Sequence, residues 1–414
     1  MPYILALNCG SSTLKYQVFD AETKQSIVGG NAEKIGLPGA FITQKYPDGT
    51  KTRKDTEIQD HNEALRLVIF MLGEASIDLA DIAGVGHRVV HGGEKFAATV
   101  KITDEVIKTI EELSDLAPLH NPANLIGIRA ARAALPHAVQ VAIFDTAFHQ
   151  TMPDYSYRYA VPASWYTDLG IRKYGFHGTS HLYVSKRAAA ILGKPASNTN
   201  LISIHYGSGA SVCAIENGIS ITTSMGMTPL SGLIMGTRCG DISPSVYQYA
   251  KEKLGMTDAQ TMDVLNKKSG VLGITGKYSD QRDLEAHQFD DDSCRLALDM
   301  EAWRVKKYIG QYMATINGPV DAIIFTAGTG ENDAPLRMRI CKNLDHLGIK
   351  LDAEKNAATA ARTGSGETEI SAPDSKIKVF MIPTNEELVL VEDTIAVING
   401  TYNPDHLKMN YLFA

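Results

Sequence analysis

One pattern occurs twice in this chain, and it limits the possible folds more than any other feature of the sequence. The apolar run Ile4–Leu7 breaks into Asn8-Cys9-Gly10-Ser11-Ser12-Thr13, and Leu14, Tyr16 and Val18 then resume an alternating strand. In the second half of the chain, Leu201–His205 runs into Tyr206-Gly207-Ser208-Gly209-Ala210-Ser211. Val212–Ile215 and the turn Glu216-Asn217-Gly218 follow. Each copy reads as strand, glycine-serine loop, strand. Small residues in such a loop let backbone N–H groups and hydroxyls come close to an anion. Two such loops in two halves predict a duplicated fold that grips phosphates from both sides of a cleft.

A chain of 414 residues is too long for one ordinary core, so two or three domains are expected. The formal net charge of -7, with no basic run interleaved with aromatics, argues against a nucleic-acid partner. An anionic substrate must then be held by a few placed cations. Cys9, Cys213, Cys239, Cys294 and Cys341 are odd in number, scattered and without a CxxC pair. This fits reduced thiols better than a disulfide framework or a zinc site. The opening residues lack the basic and apolar regions of a signal peptide, and no run reaches the length of a membrane span. A cytoplasmic protein with no membrane partner is expected.

The remaining elements alternate in type. Phe41 and Thr43 precede the turn Pro47-Asp48-Gly49, and a strand returns over 51–56. Leu65, Val68 and Leu72 give helical spacing within 62–79. Residues 84–93 form a strand ending in glycines, and 141–144 a buried-type strand ending at Asp145. Asn121-Pro122 opens a helix with Asn as its cap, and Thr179 or Ser180 caps another over 178–192. Ser243-Pro244 starts a further helix, and a long one spans about 291–317. A strand over 321–327 feeds Gly328-Thr329-Gly330-Glu331-Asn332, a last strand covers 376–382, and a closing helix runs over 385–398 with Gly400 beyond it. Mixed strands and helices predict α/β domains, with ligands beyond the C-terminal strand ends. The boundary falls near 150, where Met152-Pro153 and Pro162 punctuate the chain.

Within this frame, Asn8–Lys15 offers a carboxamide, the hydroxyls of Ser11, Ser12 and Thr13, several N–H groups and a lysine. That set suits phosphate and a hydrated metal ion. Arg88 and Arg238 each sit among glycines, and arginine's planar fork pairs with carboxylate or phosphate. A structural ion pair is the competing reading for each. Asp145 is a candidate base or metal-orienting carboxylate, with an N-cap as the plain alternative. His177 and His120 stand alone in sequence, and a lone histidine is more often a structural hydrogen-bonder. The Gly328–Asn332 segment lacks the third glycine of a dinucleotide fingerprint, because Asp333 stands there.

Taken together, Asn8–Lys15, Gly86–Gly93, Leu116–Pro122, Phe144–His149, Tyr174–His181, Ser224–Gly240 and Phe325–Asn332 strongly resemble the acetate kinase family, from about Ile4 to Asn399. That family belongs with the sugar kinases, heat-shock ATPases and actin. The resemblance implies an α/β fold of duplicated ribonuclease-H-like (actin-like ATPase) domains around a central cleft, usually in a homodimer. It implies an N-terminal domain over 1–150 with the closing helix 385–400 packed on it, and a nucleotide-binding domain over 151–384. The implied reaction is reversible, Mg2+-dependent transfer of the ATP γ-phosphoryl group to acetate, giving acetyl phosphate and ADP, with Mn2+ as a substitute ion. Asn8 and Glu386 would position the metal. Ser11, Ser12, Thr13, Lys15, His205, Tyr206, Gly207, Ser208, Gly209, Asp280, Gln281, Arg282, Gly328, Thr329, Gly330, Glu331 and Asn332 would line the nucleotide site. Arg88 would hold the acyl substrate, with Val90, Leu119, His120, Phe176 and Pro229 around it. Asp145, His177 and Arg238 would be catalytic.

The sequence also departs from the family pattern. His-Leu-Gly-Asn-Gly is here His205-Tyr206-Gly207-Ser208-Gly209, and Gln281 replaces an apolar residue between Asp280 and Arg282. Thr329 replaces Ile, Ser243 the Asp before Pro244, and Ser231 the Glu before Gly232. These changes leave another nucleotide, or pyrophosphate, open as donor. A propionate or butyrate kinase is the neighbouring alternative, and an actin- or chaperone-like ATPase the alternative of another class. A sugar kinase is disfavoured, because paired arginines suit a carboxylate better than a polyol.

Overall fold

A computed structural model describes residues 2–118 and 120–413. The chain forms two compact units. One contains the residues up to Gln150 together with Asn385–Leu412, and the other contains Thr151–Thr384 with Phe413.

The first unit is built on a sheet of β1 (Tyr3–Cys9), β2 (Thr13–Asp20), β3 (Ser26–Glu33), β4 (Phe41–Lys45), β5 (Lys51–Asp55), β6 (Ile82–Val89), β7 (Val100–Lys101) and β8 (Val139–Phe144). The strand order is β5-β4-β3-β2-β1-β6-β8-β7. β1 to β5 form an antiparallel meander, and β6 and β8 join β1 in parallel. Side chains alternate across a strand. Leu5 and Leu7 therefore pack on one face with Leu65, Val68 and Leu72 of the helix His61–Glu74. Ile4 and Ala6 pack on the other with Leu390 and Val391 of the closing helix Glu386–Asn399. Burial on both faces explains why β1 reads as an unbroken apolar run. Each leucine, isoleucine or valine among them contributes about 1.5–3 kcal/mol. The closing helix can seat only because β6 carries glycines. A Cβ on Gly84 would lie 2.7 Å from Ile398 Cδ1, and one on Gly86 would lie 3.0 Å from the Leu390 carbonyl oxygen.

The second unit repeats the arrangement with β9 (Leu201–Tyr206), β10 (Ala210–Glu216), β11 (Ile219–Thr223), β12 (Ala322–Thr326), β13 (Thr368–Glu369) and β14 (Lys378–Met381), in the order β11-β10-β9-β12-β14-β13. The core of each sheet is thus the same motif: β3-β2-β1-β6-β8 matches β11-β10-β9-β12-β14, with antiparallel and parallel pairs in the same places.

Three local expectations need correction. The helix Asn121–Ala134 is flanked by His120, and Asn121 does not cap it. The Asn121 side chain instead accepts from the His91 amide at 3.1 Å and donates to the His91 carbonyl at 3.0 Å. The helix Gly178–Ile191 starts at His177, which is left-handed at φ 59°, because the Ser180 hydroxyl is engaged by His205 and Thr384. The Gly328–Asn332 segment is not a loop before a helix but a short helix itself, Ala327–Asn332, entered through Ala327 at φ 66°. Asp333 then caps Ala334–Cys341.

Candidate functional site

In the first unit the strand ends gather charge. Register pairs Asn8 of β1 with Arg88 of β6. Arg88 Nε donates to Asp145 Oδ1 at 2.9 Å, and its second nitrogen bridges Asp145 Oδ2, which makes a bidentate clasp. Arg88 also donates to Asn8 Oδ1 at 3.3 Å, and its Nε lies 3.8 Å from Glu386 Oε2. Asp145 is only 1% exposed at its side chain, against 20% for Arg88. Burial opposes the guanidinium charge, but Asp145 and Glu386 outweigh it and hold the Arg88 pKa above its ordinary value. Burial, then the charge of Glu386, pushes the Glu387 carboxyl up. Asn8, Lys15, Arg88, Glu386 and Glu387 all border one cavity of about 640 Å³.

The frame around Arg88 comes from a helix face. Asn124 accepts from the Val90 amide at 3.0 Å and donates to the Cys9 carbonyl at 2.7 Å, so it ties the end of β1 to the segment after β6. The sequence reading missed this residue. Its signal was present: Asn121, Asn124, Leu125 and Ile128 share one buried helix face. Val90 is buried, and His120 directly precedes this helix. Leu119 lies outside the described residues. The β1–β2 turn is closed by the Gly10 amide on the Thr13 carbonyl at 2.8 Å, with Ser11 and Ser12 at its tip.

In the second unit the corresponding register pair is His205 of β9 with Thr326 of β12. Here histidines and hydroxyls replace acids. The His177 ring stacks on His205 with centroids 4.0 Å apart. His177 Nδ1 is 2.8 Å from Ser211 Oγ, and His181 Nε2 meets the same oxygen at 2.9 Å. His205 Nδ1 is 2.8 Å from Ser180 Oγ. The far edge of His177 faces the glycine-serine turn: a Cβ on Gly209 would lie 3.1 Å from His177 Nε2 and 3.9 Å from Arg238 Nη1. Catalytic candidates 61 residues apart in sequence thus meet at one glycine, with Phe176 preceding His177 and the Pro229 carbonyl 3.3 Å from Arg238 Nη1. Among the described residues Arg238 has no ion pair, and burial alone lowers its pKa.

Beside this turn lies a cavity of about 810 Å³. Tyr206, Gly207, Ser208, Asp280, Gln281, Arg282, Gly328, Thr329 and Asn332 line it, so segments read separately in the sequence converge there. Thr237, Glu285, Asp333 and Arg362 also line it and were not anticipated. Arg282 clasps Asp280 through bonds of 2.9 and 2.7 Å, which draws the Asp280 carboxyl down to about 2. Glu331 turns away from the cavity. It accepts from the Ala327 amide at 2.8 Å and the Thr384 amide at 2.9 Å, and so holds the left-handed entry of the short helix. Gly330 is buried against β9.

Among the described residues no three or more His, Cys, Asp or Glu side chains form a metal-binding cluster. Mg2+ does not need one, because it keeps several waters and takes one or two carboxylates plus substrate phosphates. The oxygen donors of Asn8 and Glu386, with Glu387 disfavoured as a second anion beside Glu386, fit such an ion. All five cysteines are free thiols. Among the described residues no helix is long and apolar enough to cross a membrane.

Comparison with known proteins gives a consistent result. Residues 3–392 match the model of the acetokinase family. The acetate kinase of Geobacter sulfurreducens is 51% identical over 416 aligned positions, covering 99% of this chain and 98% of that protein. The crystal structure of Porphyromonas gingivalis acetate kinase superposes with a TM-score of 0.90 at 43% identity, covering 96% of this chain and 100% of that one. A propionate kinase from Francisella tularensis superposes with a TM-score of 0.88 at 41% identity, covering 94% and 98%.

Proposed function

Because the chain belongs to the acetokinase family, we propose that it transfers the γ-phosphoryl group of ATP to acetate, reversibly, with the residues below in named roles. The observation that supports this reading most directly is Arg238. It is half-buried, it has no ion pair among the described residues, and it stands with His177 Nε2 over the glycine-serine turn. A guanidinium in that state favours an arriving anion.

An acetate oxygen attacks the γ-phosphorus in line. The new O–P bond forms as the bond to the β–γ bridging oxygen breaks, and ADP leaves. Acetate is already ionised at neutral pH, so no base is required. Asp145 accordingly serves as the clasp that orients Arg88, and Arg88 holds the acceptor beside Val90. The chief barrier is the approach of two anions, which Arg238 and His177 lower by hydrogen bonds to the equatorial phosphoryl oxygens. Asn8 and Glu386 would hold Mg2+, which when bound neutralises phosphate charge. The 810 Å³ cavity is assigned to the nucleotide, which makes the second unit the nucleotide-binding domain. The same reading carries a cytoplasmic homodimer, which sedimentation and cell fractionation test.

Acetyl phosphate formation from ATP, Mg2+ and acetate, trapped as the hydroxamate, tests the assignment. Absence of acetate-dependent ADP release would overturn it. The likeness to a propionate kinase makes acyl length the second measurement. The expected order of kcat/KM is acetate, then propionate, then butyrate, and a propionate optimum would reassign the acceptor.

A further inference from the structure

Behind His177 lies an interior of the kind that sheets usually fill with apolar side chains. Strand alternation and the β9–β10 register put Ser203, His205 and Ser211 on one face of that ladder. The helix Gly178–Ile191 meets this face with His181, one turn after His177. Ser203, Ser211 and His181 are fully buried. His181 Nδ1 lies 2.9 Å from Ser203 Oγ, and its Nε2 lies 2.9 Å from Ser211 Oγ. Ser211 Oγ in turn lies 2.8 Å from His177 Nδ1. Imidazoles and hydroxyls thus alternate in one chain that ends at the ring edge over the glycine-serine turn.

The hydrogens available fix the direction of this chain. A hydroxyl carries a single hydrogen, and a neutral imidazole carries its ring hydrogen on only one of its nitrogens. Among the described residues the Ser203 hydroxyl has no partner but His181 Nδ1, so it must donate there. His181 then bears its hydrogen on Nε2 and donates to Ser211 Oγ. The Ser211 hydrogen cannot return to a nitrogen that is itself donating, and the other partner of this hydroxyl is His177 Nδ1. His177 therefore accepts at Nδ1 and bears its hydrogen on Nε2. Every other assignment leaves a buried hydroxyl hydrogen without an acceptor, which is costly.

We infer that Ser203, His181 and Ser211 are positioning residues that lock His177 in the tautomer with Nε2–H toward the turn. The lock serves the reading in which His177 donates to an equatorial phosphoryl oxygen, and rests on it. The locked tautomer presents a donor to that oxygen. The other tautomer would present a lone pair to an anion and repel it. Which ring nitrogen bears the hydrogen is set by the partner of the other nitrogen, so the lock acts from the far side of the ring and touches no substrate. It also makes His177 a neutral donor. A second hydrogen, on Nδ1, would turn the Ser211 hydrogen away from its acceptor.

The test is nitrogen NMR of the full-length protein carrying isotope-labelled histidine, with kinetics on the same preparations. The His177 ring is identified by its absence from His177→Gln. At neutral pH the unaltered protein should show His177 with hydrogen on Nε2 and none on Nδ1. S211A should admit the Nδ1-protonated form and lower kcat on the order of tenfold, the worth of one hydrogen bond, with both KM values within about twofold. S211T keeps the hydroxyl and should keep both the tautomer and most of the rate. Hydrogen on His177 Nδ1 in the unaltered protein, alone or together with Nε2, overturns the proposal, and that measurement decides even where a variant does not fold. An S211A protein with an unchanged tautomer overturns it too. So does a Ser211 variant whose rate falls while the His177 ring signals stay as they were, because a packing defect alone does that. A His177→Gln protein as fast as the unaltered one breaks the reading of this ring as phosphoryl donor instead, and leaves the ring signals of the unaltered protein to decide the lock.

Discussion

The two units share one strand order and carry opposite electrostatic designs at equivalent strand ends. In the first, the β1–β6 register pair is Asn8 with Arg88, and the arginine is already clasped by Asp145 and faced by Glu386. In the second, the β9–β12 pair is His205 with Thr326, and the nearby Arg238 has no ion pair among the described residues. A cation matched by acids before any ligand arrives is fixed in direction, and the surplus around it is negative. That suits a metal ion and a positioned acceptor. A cation left unmatched under partial burial gains most when an anion enters. The same scaffold thus occurs twice, and the charge at the strand ends distinguishes the two copies.

The sharpest test of this contrast removes the unmatched cation. Arg238→Ala and His177→Ala are each expected to lower kcat on the order of 10²–10³-fold, with far-ultraviolet circular dichroism unchanged. Arg88→Ala should act mainly on the KM for acetate, and Asp145→Asn should do the same less strongly by loosening the clasp. If Arg238→Ala raised only the acetate KM, the two arginines would be doing the same work and the contrast would fail.

The next test concerns the negative surplus. Glu386→Gln keeps the shape of the side chain and removes one anion beside Arg88. The Mg2+ concentration needed for half-maximal rate should rise on the order of tenfold or more, while saturating kcat falls less. An unchanged Mg2+ dependence would place the ion elsewhere.

These features were legible in the sequence to unequal degrees, for physical reasons. β1 and both glycine-serine loops stood out because strands buried on both faces are apolar throughout, and tight turns need small residues. Arg88 and Arg238 looked equivalent, since glycine flanks say that an arginine is locally unpacked but not whether a distant acid reaches it. Asn121 and Ser180 carried helix-cap chemistry, and tertiary hydrogen bonds to His91 and His205 outcompeted it. Glu301 was invisible. A glutamate within a charged helix reads as solvated, and only the packing of Tyr206 against it reveals its burial.

The two turns can also be compared directly. A Cβ on Gly209 would meet His177 Nε2 at 3.1 Å and Cε1 at 3.3 Å, so Gly209→Ala must displace a ring fixed by Ser211 and by stacking on His205. A loss on the order of tenfold in kcat is expected, in line with misplacement of a transition-state donor. A Cβ on Gly10 would meet Thr13 Oγ1 at 2.8 Å, the end of a hydroxyl side chain that can rotate. Gly10→Ala should therefore change kcat by less than about twofold, within the small range of surface substitutions. Equal losses at both glycines would mean that the turns serve backbone geometry alone.

The smallest effect lies in stability, where each unit holds a buried carboxyl that desolvation raises to near neutrality or above. Asp393 in the first accepts from the Thr99 and Tyr411 hydroxyls, and burial still raises it from 3.8 to about 7. Glu301 in the second is raised from 4.5 to about 8. Both folded-state values lie above the unfolded ones, so the folded chain binds these protons more tightly. Their contribution is complete below the unfolded pKa and is lost as pH rises through the folded one. Asp393→Asn should flatten the fall of Tm between about pH 4 and 7, and Glu301→Gln should do so between about pH 4.5 and 8. Because Asp393 has two hydroxyl donors and Glu301 one, the neutral substitution should cost more Tm at low pH for Asp393. Thermal melts across pH 4–8 that steepen in either variant would reverse the sign and show that the carboxyl is ionised in the folded state.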